Sequence, residues 1–290
     1  MSDAYLARLG ITTRPAPTLE ALRALHRAHV ERIPYDNLSI MLGRPDPADV
    51  DACVERAGGG GRLGYCFQHN TALEALLVDL GYRVSRRHGH VWTRPEQRLD
   101  AALNHLVLVV SGLPDEDNPG GHWWVDAGLG DGFAEPLPLV RGEHHLDGFR
   151  YTIGAGYGAQ AAGRPTGPAA WTFDHDPSGA FTGVVVTERP SDPAAVAAAH
   201  QRLSAGPDSP FLTKLVVQRR DGGATLTLRG CLLTEQTATG RVETELTSYD
   251  EWRDALVGRL LLPVGAHEDL TGLWDRTRAS HAAWTAAGRP

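Results

Sequence analysis

The sequence predicts an α+β fold, and three observations support this prediction. Apolar residues recur at helical spacing in the first part of the chain. The middle, residues 82–187, consists of short segments rich in Val, Trp and Tyr that Gly and Pro interrupt, which is typical of a β-barrel or a β-sandwich. The last part combines strand-like runs with a capped helix. We find no internal repeat.

Two amphipathic helices are predicted in the first part of the chain. One begins after Thr18, whose hydroxyl can cap a helix N-terminus. Its apolar residues are Leu19, Leu22, Leu25 and Val30. The second runs from about Cys66 to Gly81, because glycine is favoured just after a helix end. Its inward-facing leucines are Leu73, Leu76, Leu77 and Leu80.

The last part of the chain follows a segment rich in Ala, Pro and Ser, residues 190–210, which is predicted to be a linker. Strand-like runs then occupy residues 212–218, 224–229 and 242–247. Ser248 and Glu251 form a capping box, and they predict a helix that begins at this point. The apolar face of that helix carries Trp252, Leu256 and Leu260.

Composition indicates a cytoplasmic enzyme. The chain has 290 residues and only three cysteines, which fits a reducing compartment better than a disulfide scaffold. We see no signal peptide and no apolar run long enough to span a bilayer, so no membrane partner is expected. The net charge of −7 is spread along the chain and argues against nucleic-acid binding. Any phosphate-bearing ligand must therefore be held by local groups.

Cys66 is the most informative residue. It stands where the glycine run 58–61 gives way to the predicted helix. The free N–H groups and the positive dipole end of a helix stabilise an anion, so a thiolate is favoured there. Cys53 and Cys231 have no comparable polar surroundings. We expect Cys66 to be a nucleophile rather than a buried structural cysteine.

A thiol nucleophile needs a base and a group that orients the base. His105 opens one predicted strand, and Asp126 ends the next apolar run. Neighbouring strands would bring the two side chains together beside Cys66. The residues alone leave two other interpretations open. In one, His105 bonds a backbone carbonyl; in the other, Asp126, which precedes Ala127 and Gly128, belongs to a turn.

Other motifs give weaker signals. Gly59, Gly61 and Gly64 fit the dinucleotide-binding spacing, but no strand precedes them. The histidine pairs at residues 88 and 90 and at 144 and 145 have no carboxylate or cysteine at ligand spacing. We therefore predict no metal site.

Several short motifs, taken in order, resemble those of the arylamine N-acetyltransferase family over most of the chain. They are residues 33–38 (IPYDNL), 62–68 (RLGYCFQ), 105–107 (HLV), 125–130 (VDAGLG), 209–211 (SPF) and 228–230 (LRG). The chain departs from the family pattern at Leu63, where the family has glycine, and at Gln68, where glutamate is frequent. Leu129 replaces an aromatic residue associated with the acceptor pocket.

The resemblance implies a helical bundle (residues 1–84) that carries the nucleophile and a β-barrel (85–189) that carries the histidine and the aspartate. A linker (190–210) and an α/β lid (211–290) follow. It implies a cysteine-protease-like core in which Cys66, His105 and Asp126 are catalytic. Four residues are expected to contact the co-substrate: Asn104, Leu129, Gly130 and Phe211. Asp36 and Arg62 are expected to form a structural pair beneath the site.

The function implied is transfer of an acetyl group from acetyl-CoA, through a Cys66 thioester, to a primary arylamine or hydrazine in a ping-pong mechanism. Acetyl-CoA would be a co-substrate, with no tightly bound cofactor. One alternative is an amide synthase that releases a polyketide from an acyl carrier protein as a macrolactam; the smaller Leu129 favours it. Another is a catalytically idle binding protein of the same fold, and a cysteine protease is a more distant one. The sequence predicts no particular oligomeric state.

Overall fold

The protein is represented by a computed structural model, which describes residues 2–99, 103–155, 169–188 and 190–288. The helices are α1 (Ser2–Arg8), α2 (Leu19–Arg32), α3 (Leu38–Met41), α4 (Val50–Gly58), α5 (Cys66–Asp79), α6 (Pro193–Ala205), α7 (Tyr249–Asp254) and α8 (Leu270–Ala286). Short 3₁₀ helices lie at Pro95–Leu99 and Pro210–Leu212, and a π-helical turn lies at Ala255–Arg259.

The strands form two antiparallel sheets. They are β1 (Tyr35–Asp36), β2 (Arg83–Trp92), β3 (His105–Ser111), β4 (His122–Val125), β5 (Leu137–Pro138), β6 (Gly142–Leu146), β7 (Phe149–Ala155), β8 (Ala169–Asp174), β9 (Gly183–Thr187), β10 (Val216–Asp221), β11 (Ala224–Arg229), β12 (Leu232–Thr237) and β13 (Gly240–Glu245). One sheet has the order β5-β4-β3-β2-β9-β8-β7-β6, and the other has the order β1-β10-β11-β12-β13.

The N-terminal helices pack around α5, and the predicted helix boundaries are confirmed. The hydroxyl of Thr18 accepts the backbone N–H of Ala21 at 3.2 Å and caps α2. At the start of α5, the side chain of Gln68 accepts the N–H of Tyr65 at 3.2 Å. Every residue of α5 from 66 to 73 is buried. Helix α5, which begins at Cys66, is therefore the centre of this part of the molecule rather than a surface helix.

The central sheet curls into a barrel. Trp124 on β4 and Phe173 on β8 are four strands apart in the sheet order, yet their ring centroids lie 5.0 Å apart. Phe133 and Tyr151 join the same buried cluster. A single eight-stranded sheet surrounds this core, whereas a sandwich would need two sheets. Of the two predicted folds for the middle of the chain, the barrel is therefore the correct one. The predicted α+β architecture of helical bundle, barrel and α/β lid is confirmed.

The C-terminal sheet packs on α7 and α8 around a second core that contains Trp252, whose indole N–H donates to the Gly230 carbonyl. The capping box predicted before α7 is confirmed, since Ser248 accepts the Glu251 N–H at 3.3 Å. The prediction of a strand at 212–218 is wrong in its first half. Ser209 accepts the N–H of Phe211 at 3.2 Å and starts a 3₁₀ helix there, so the strand begins only at Val216.

The segment predicted as a linker is mostly helical. Asp192 accepts the N–H of Ala195 at 2.7 Å and caps α6. Val196 and Ala199 of this helix are buried in the N-terminal core. Proline at the first helical position and a row of alanines suit a helix as well as a loop, which is why composition alone did not reveal it. The division of the chain into domains stays a prediction.

Strand β12 was missed by the sequence prediction, because its polar residues hide the alternation on which such predictions depend.

Among the described residues, no helix combines the length and apolar character needed to cross a bilayer.

Candidate active site

Cys66 is the first residue of α5, and its side chain is nearly buried, with 3% of its surface exposed. Its Sγ lies 3.6 Å from the backbone carbonyl oxygen of Asn104, to which the thiol donates. Asn104 directly precedes His105, so the nucleophile helix meets the start of strand β3 at this point. The fold therefore brings the predicted nucleophile to the predicted base.

His105 and Asp126 form a buried pair. Nε2–H of His105 donates to Oδ2 of Asp126 at 2.7 Å, and both side chains are almost inaccessible to solvent. Because Nε2 faces the carboxylate, Nδ1 is the ring nitrogen left for Cys66. The structure thus brings together the three residues that the sequence placed in one triad.

The pKa of His105 shows how these groups interact. Burial alone lowers it, but the charge of Asp126, the hydrogen bond to that carboxylate and the neighbouring Cys66 raise the pKa to about 10. The environment therefore favours the imidazolium form. A cation next to Cys66 stabilises a thiolate, which is the reactive form of cysteine.

Asp126 is held by more groups than the sequence predicted. Its Oδ1 accepts from Asn70 Nδ2 at 2.7 Å and from the Gly128 N–H at 3.0 Å. Its Oδ2 accepts from the Trp124 indole at 3.0 Å in addition to His105. These donors fix the plane of the carboxylate and so the orientation of the imidazole.

Asn70 is the most informative of the residues that the sequence prediction missed. It lies four residues after Cys66, so the same face of α5 carries both side chains. Besides bonding Asp126, it accepts the N–H of Ala127 at 3.0 Å and donates to the Leu106 carbonyl at 2.6 Å. The spacing to Cys66 was the signal in the sequence that could have identified it.

Gly128 lets the turn after β4 approach Cys66 closely. A Cβ atom built on Gly128 would lie 2.5 Å from Cα of Cys66. Real Cβ atoms do not come that close to another backbone atom. A side chain at this position would clash with Cys66, so the position requires glycine. The requirement does not come from an unusual backbone angle φ.

A cavity of about 490 Å³ opens at the triad. Cys66 and His105 line it, and so do three of the residues predicted to contact the co-substrate: Asn104, Leu129 and Phe211. The fourth, Gly130, is not among the described residues that line it. Gly130 has a φ of +72° and lies against the side chain of Gln218. We therefore assign Gly130 to the turn and not to the cavity wall.

The expected pair of Asp36 and Arg62 is present, with 3.8 Å between Asp36 Oδ1 and Arg62 Nε. The stronger partner of Arg62 is Glu268, which accepts from Nη1 at 2.8 Å and from Nη2 at 2.5 Å. Ser39 accepts from Nη2 at 3.0 Å. Burial raises the pKa of Asp36 to about 6, although Arg62 opposes this. Arg62 therefore ties the segment before Cys66 to the C-terminal part of the chain.

The histidine pairs considered as metal ligands lie apart from this site. Nε2 of His144 bonds the Val140 carbonyl at 2.7 Å, and Nε2 of His90 bonds the Gln97 carbonyl at 2.9 Å. In the ranges that the structure describes, no three histidine, cysteine, aspartate or glutamate side chains converge as metal ligands would.

Comparison with known proteins shows the family of the chain and agrees with its fold. A family model described as N-acetyltransferase matches residues 18–268. The arylamine N-acetyltransferase of Mycolicibacterium smegmatis is 31% identical over 280 residues, which cover 92% of this chain and 93% of that protein. The relative in Salmonella typhimurium, an arylamine N-acetyltransferase and N-hydroxyarylamine O-acetyltransferase, is 36% identical over 127 residues, or 44% of this chain and 43% of that protein.

Solved structures of arylamine N-acetyltransferases have the same fold as this chain. An X-ray structure of a variant of the Mycobacterium smegmatis enzyme superposes with a TM-score of 0.80 at 26% identity, covering 94% of this chain and 97% of that one. The Mycobacterium marinum arylamine N-acetyltransferase in complex with CoA shares the fold, with a TM-score of 0.80 at 24% identity over 96% of this chain and 98% of that one.

These findings define the protein as an acyltransferase. The chain belongs to the arylamine N-acetyltransferase family, whose members use acetyl-CoA as a co-substrate and keep no tightly bound cofactor.

Proposed function

We propose that the protein transfers an acetyl group from acetyl-CoA, through a thioester on Cys66, to a primary arylamine or hydrazine in a ping-pong mechanism. One observation carries the proposal. Cys66 lies at a helix start beside His105, whose Nε2 is 2.7 Å from the buried Asp126 carboxylate, and a cavity opens at the thiol. Membership of the family supports the donor and the class of acceptor.

In the first half-reaction, the thiol proton passes to Nδ1 of His105, and Sγ of Cys66 attacks the thioester carbonyl of acetyl-CoA. The new C–S bond forms as the bond to the CoA sulfur breaks, and the CoA thiolate takes the proton from the imidazolium. The backbone N–H of Cys66 is free to stabilise the oxyanion, because the first N–H groups of a helix have no partner within the helix.

In the second half-reaction, the amine nitrogen attacks the acetyl carbon of the thioester while His105 accepts the proton of the amine. The C–S bond breaks, the amide leaves, and the thiolate of Cys66 is regenerated. Asp126 holds the tautomer and the orientation of the imidazole throughout. The buried position of Cys66 limits access of water to the thioester.

Intact mass spectrometry after incubation with acetyl-CoA alone tests the proposal. We expect one acetyl group on the wild-type chain and none on Cys66→Ala, with activity lost together with the adduct. Cys231→Ala is the matched control, because that buried cysteine lies in the C-terminal core; it should keep both. An adduct that survives Cys66→Ala overturns the assignment of the nucleophile. The absence of an adduct on the wild type contradicts acetyl-CoA as the donor.

A second candidate function has one observation in its favour. Leu129 lines the cavity and belongs to the buried core of the barrel. A leucine there leaves more room than an aromatic ring and offers no flat face for stacking. An amide synthase acting on a bulky carrier-bound acyl chain would benefit from this room. This candidate uses the same triad and differs only in its acceptor and donor.

A panel of amines distinguishes the two candidates. Aromatic contacts contribute about 0.5–1.5 kcal/mol beyond burial, so their loss should weaken small anilines about three- to tenfold. We predict low second-order rates with simple anilines, higher rates with bulkier amines or hydrazines, and a gain for small anilines in Leu129→Phe. A wild type that prefers the smallest aniline, together with an unchanged Leu129→Phe variant, would exclude a bulky acceptor.

A further inference from the structure

A smaller cavity of about 190 Å³ lies beside the cavity at Cys66. The two cavities share three lining residues: Asp131, Ala180 and Arg229. The smaller cavity is bounded by the segment 178–180, which lies between β8 and β9, and by residues of β11, β12 and β13. It therefore lies between the barrel and the C-terminal sheet and adjoins the cavity of the proposed reaction.

A hydrogen bond lies where the two cavities meet. The backbone N–H of Ala180 donates to Oδ2 of Asp131 at 2.5 Å, and both residues line both cavities. Asp131 follows Gly128 by three residues, in the turn that touches Cys66. Ala180 is exposed, so its N–H can bond water when the carboxylate releases it. The bond between Asp131 and Ala180 therefore separates the two cavities and can be opened at low cost.

Two oxygen atoms of residues that line the smaller cavity have no hydrogen-bond donor within the described ranges. They are Oδ1 of Asp131 and Oε1 of Gln236, and both atoms are closed to solvent. Asp131 as a whole is only 7% exposed. The amide nitrogen of Gln236 is already used, because it donates to the Thr237 carbonyl at 2.6 Å and to the Gly240 carbonyl at 3.1 Å. A buried oxygen without a donor costs free energy, so this wall favours a ligand that supplies donors.

The charged residues among the described lining residues of the smaller cavity balance each other. Asp131 and Glu243 are negative, and Arg229 and Arg241 are positive. Arg241 and Glu243 form an ion pair. An ionic ligand would disturb this balance in a partly buried place, whereas a neutral ligand does not. Hydroxyl groups are neutral and supply donors, so they match the cavity in both respects.

We propose that the smaller cavity binds a neutral, hydroxyl-bearing side arm of the amine acceptor. The amine lies at Cys66, and the arm passes between Asp131 and Ala180. Hydroxyl groups of the arm donate to Asp131 and to Gln236, while the N–H of Ala180 turns to solvent. This inference rests on the proposed function, because it extends the acceptor site of the same reaction. It narrows the acceptor to amines with a hydroxylated substituent.

Two amines of the same shape test the inference. The first, 4-(2,3-dihydroxypropyl)aniline, carries two hydroxyl groups, and the second, 4-(2-methylbutyl)aniline, carries a methyl group in place of each hydroxyl. The measurement is the second-order rate of each amine with the acetylated enzyme. We expect the wild type to favour the diol about tenfold, because a hydrogen bond to a charged oxygen accounts for about that factor. Equal rates, or a faster reaction of the methyl analogue, would overturn the inference.

Two substitutions locate the preference in the smaller cavity. Asp131→Ala removes the charged acceptor and the bond to Ala180, so the preference for the diol should disappear and the methyl analogue should react faster than with the wild type. Gln236→Met removes the second acceptor with little change in volume and should reduce the preference about threefold. A preference that is unchanged in both variants would contradict the assignment of the cavity.

Asp174→Ala is the matched control. Asp174 ends β8, close in sequence to the segment 178–180, and it is exposed and outside the described linings of both cavities. This substitution removes one negative charge from the same region and should leave the preference for the diol as it is in the wild type. A loss as large as in Asp131→Ala would overturn the inference, because the effect would then be one of general charge.

Titration calorimetry separates this inference from the proposed function, because binding needs no transfer chemistry. We expect Cys66→Ala to bind the diol at least about tenfold more tightly than the double variant Cys66→Ala, Asp131→Ala does. Equal affinities of these two proteins would overturn the inference even if acetyl-CoA acetylates Cys66 in the wild type. A wild type that is not acetylated would overturn the proposed function alone if the diol still binds through Asp131.

Discussion

The carboxylate of Asp126 shows how single residues build the site. It accepts from His105, Asn70, Trp124 and Gly128, so both of its oxygens are occupied by donors of fixed position. The backbone N–H of the same residue donates to Nε2 of the buried His26 at 3.1 Å. A carboxylate held in this way cannot rotate away from the imidazole. The imidazole of His105 is therefore held in position before any substrate binds.

Gly128 provides a sharp test of this positioning. We predict that Gly128→Ala lowers kcat/KM by about a hundredfold, because the added methyl must push Cys66 or the turn aside and displacements of about 1 Å cost that much. The measurement is the second-order rate with acetyl-CoA and one amine. Gly223→Ala is the control, since nothing lies within 4 Å of a Cβ atom at Gly223. Full activity in Gly128→Ala would mean that the close approach to Cys66 is not needed.

Among the elements of the fold, the C-terminal segment 263–268 supports the segment that leads into α5. Arg62 donates to both carboxylate oxygens of Glu268 and to the Pro263 carbonyl at 2.8 Å. The side chains of Arg62 and Glu268 are only 13% and 8% exposed. Two charges that are this little exposed stabilise each other, because little water reaches them to replace a missing partner.

Removing Glu268 should therefore destabilise the whole fold. We predict that Glu268→Gln lowers the free energy of unfolding by about 3 kcal/mol, since it leaves the buried guanidinium of Arg62 without its closest anion. Urea denaturation measures this change. Glu143→Gln, which breaks the exposed pair with Arg150, should cost less than about 1 kcal/mol. If the two substitutions lower the free energy of unfolding equally, the contact between Arg62 and Glu268 stabilises the fold no more than an exposed ion pair does.

At the scale of the whole molecule, buried histidines link stability to pH. His29 bonds the Tyr5 hydroxyl at 2.7 Å through Nδ1 and His69 at 2.8 Å through Nε2. Burial lowers the pKa of His26, lowers that of His29 well below its ordinary value, and lowers that of His69 to about 3. These side chains fold in their neutral form, and they connect α1, α2 and α5.

The sign of the effect follows from proton binding. The folded-state pKa of each of these histidines lies below the unfolded value of about 6.5, so the unfolded chain binds more protons in acid. Their contribution to stability is complete above pH 6.5 and is lost as the pH falls towards the folded-state values. We predict that the free energy of unfolding drops by roughly 2–4 kcal/mol between pH 7 and pH 5.

Chemical denaturation at several pH values measures this slope. His29→Gln should flatten it, whatever the substitution does to stability at pH 7. His145→Gln should not change it, because the side chain of His145 is 60% exposed. A slope that is the same in His29→Gln and in the wild type would mean that other groups cause the loss of stability in acid.

The sequence by itself determined the features that depend on neighbours along the chain. The helix starts after Thr18 and Ser248 follow from capping chemistry, which involves residues three or four apart. The start at Cys66 follows from the glycine run that precedes it. The order of nucleophile, histidine and aspartate, together with the family motifs, was sufficient to predict the triad. The prediction failed at β12 and in the helical part of the linker, where polar or small residues give no clear period.

Only the tertiary structure decided which distant groups complete the site. Arg62 and Glu268 are 206 residues apart, and Asn70 is 56 residues from Asp126. No local pattern encodes such contacts, because they form only when separate elements bury their apolar faces together. The sequence therefore predicted the residues of the proposed triad, and packing determined what holds them in place.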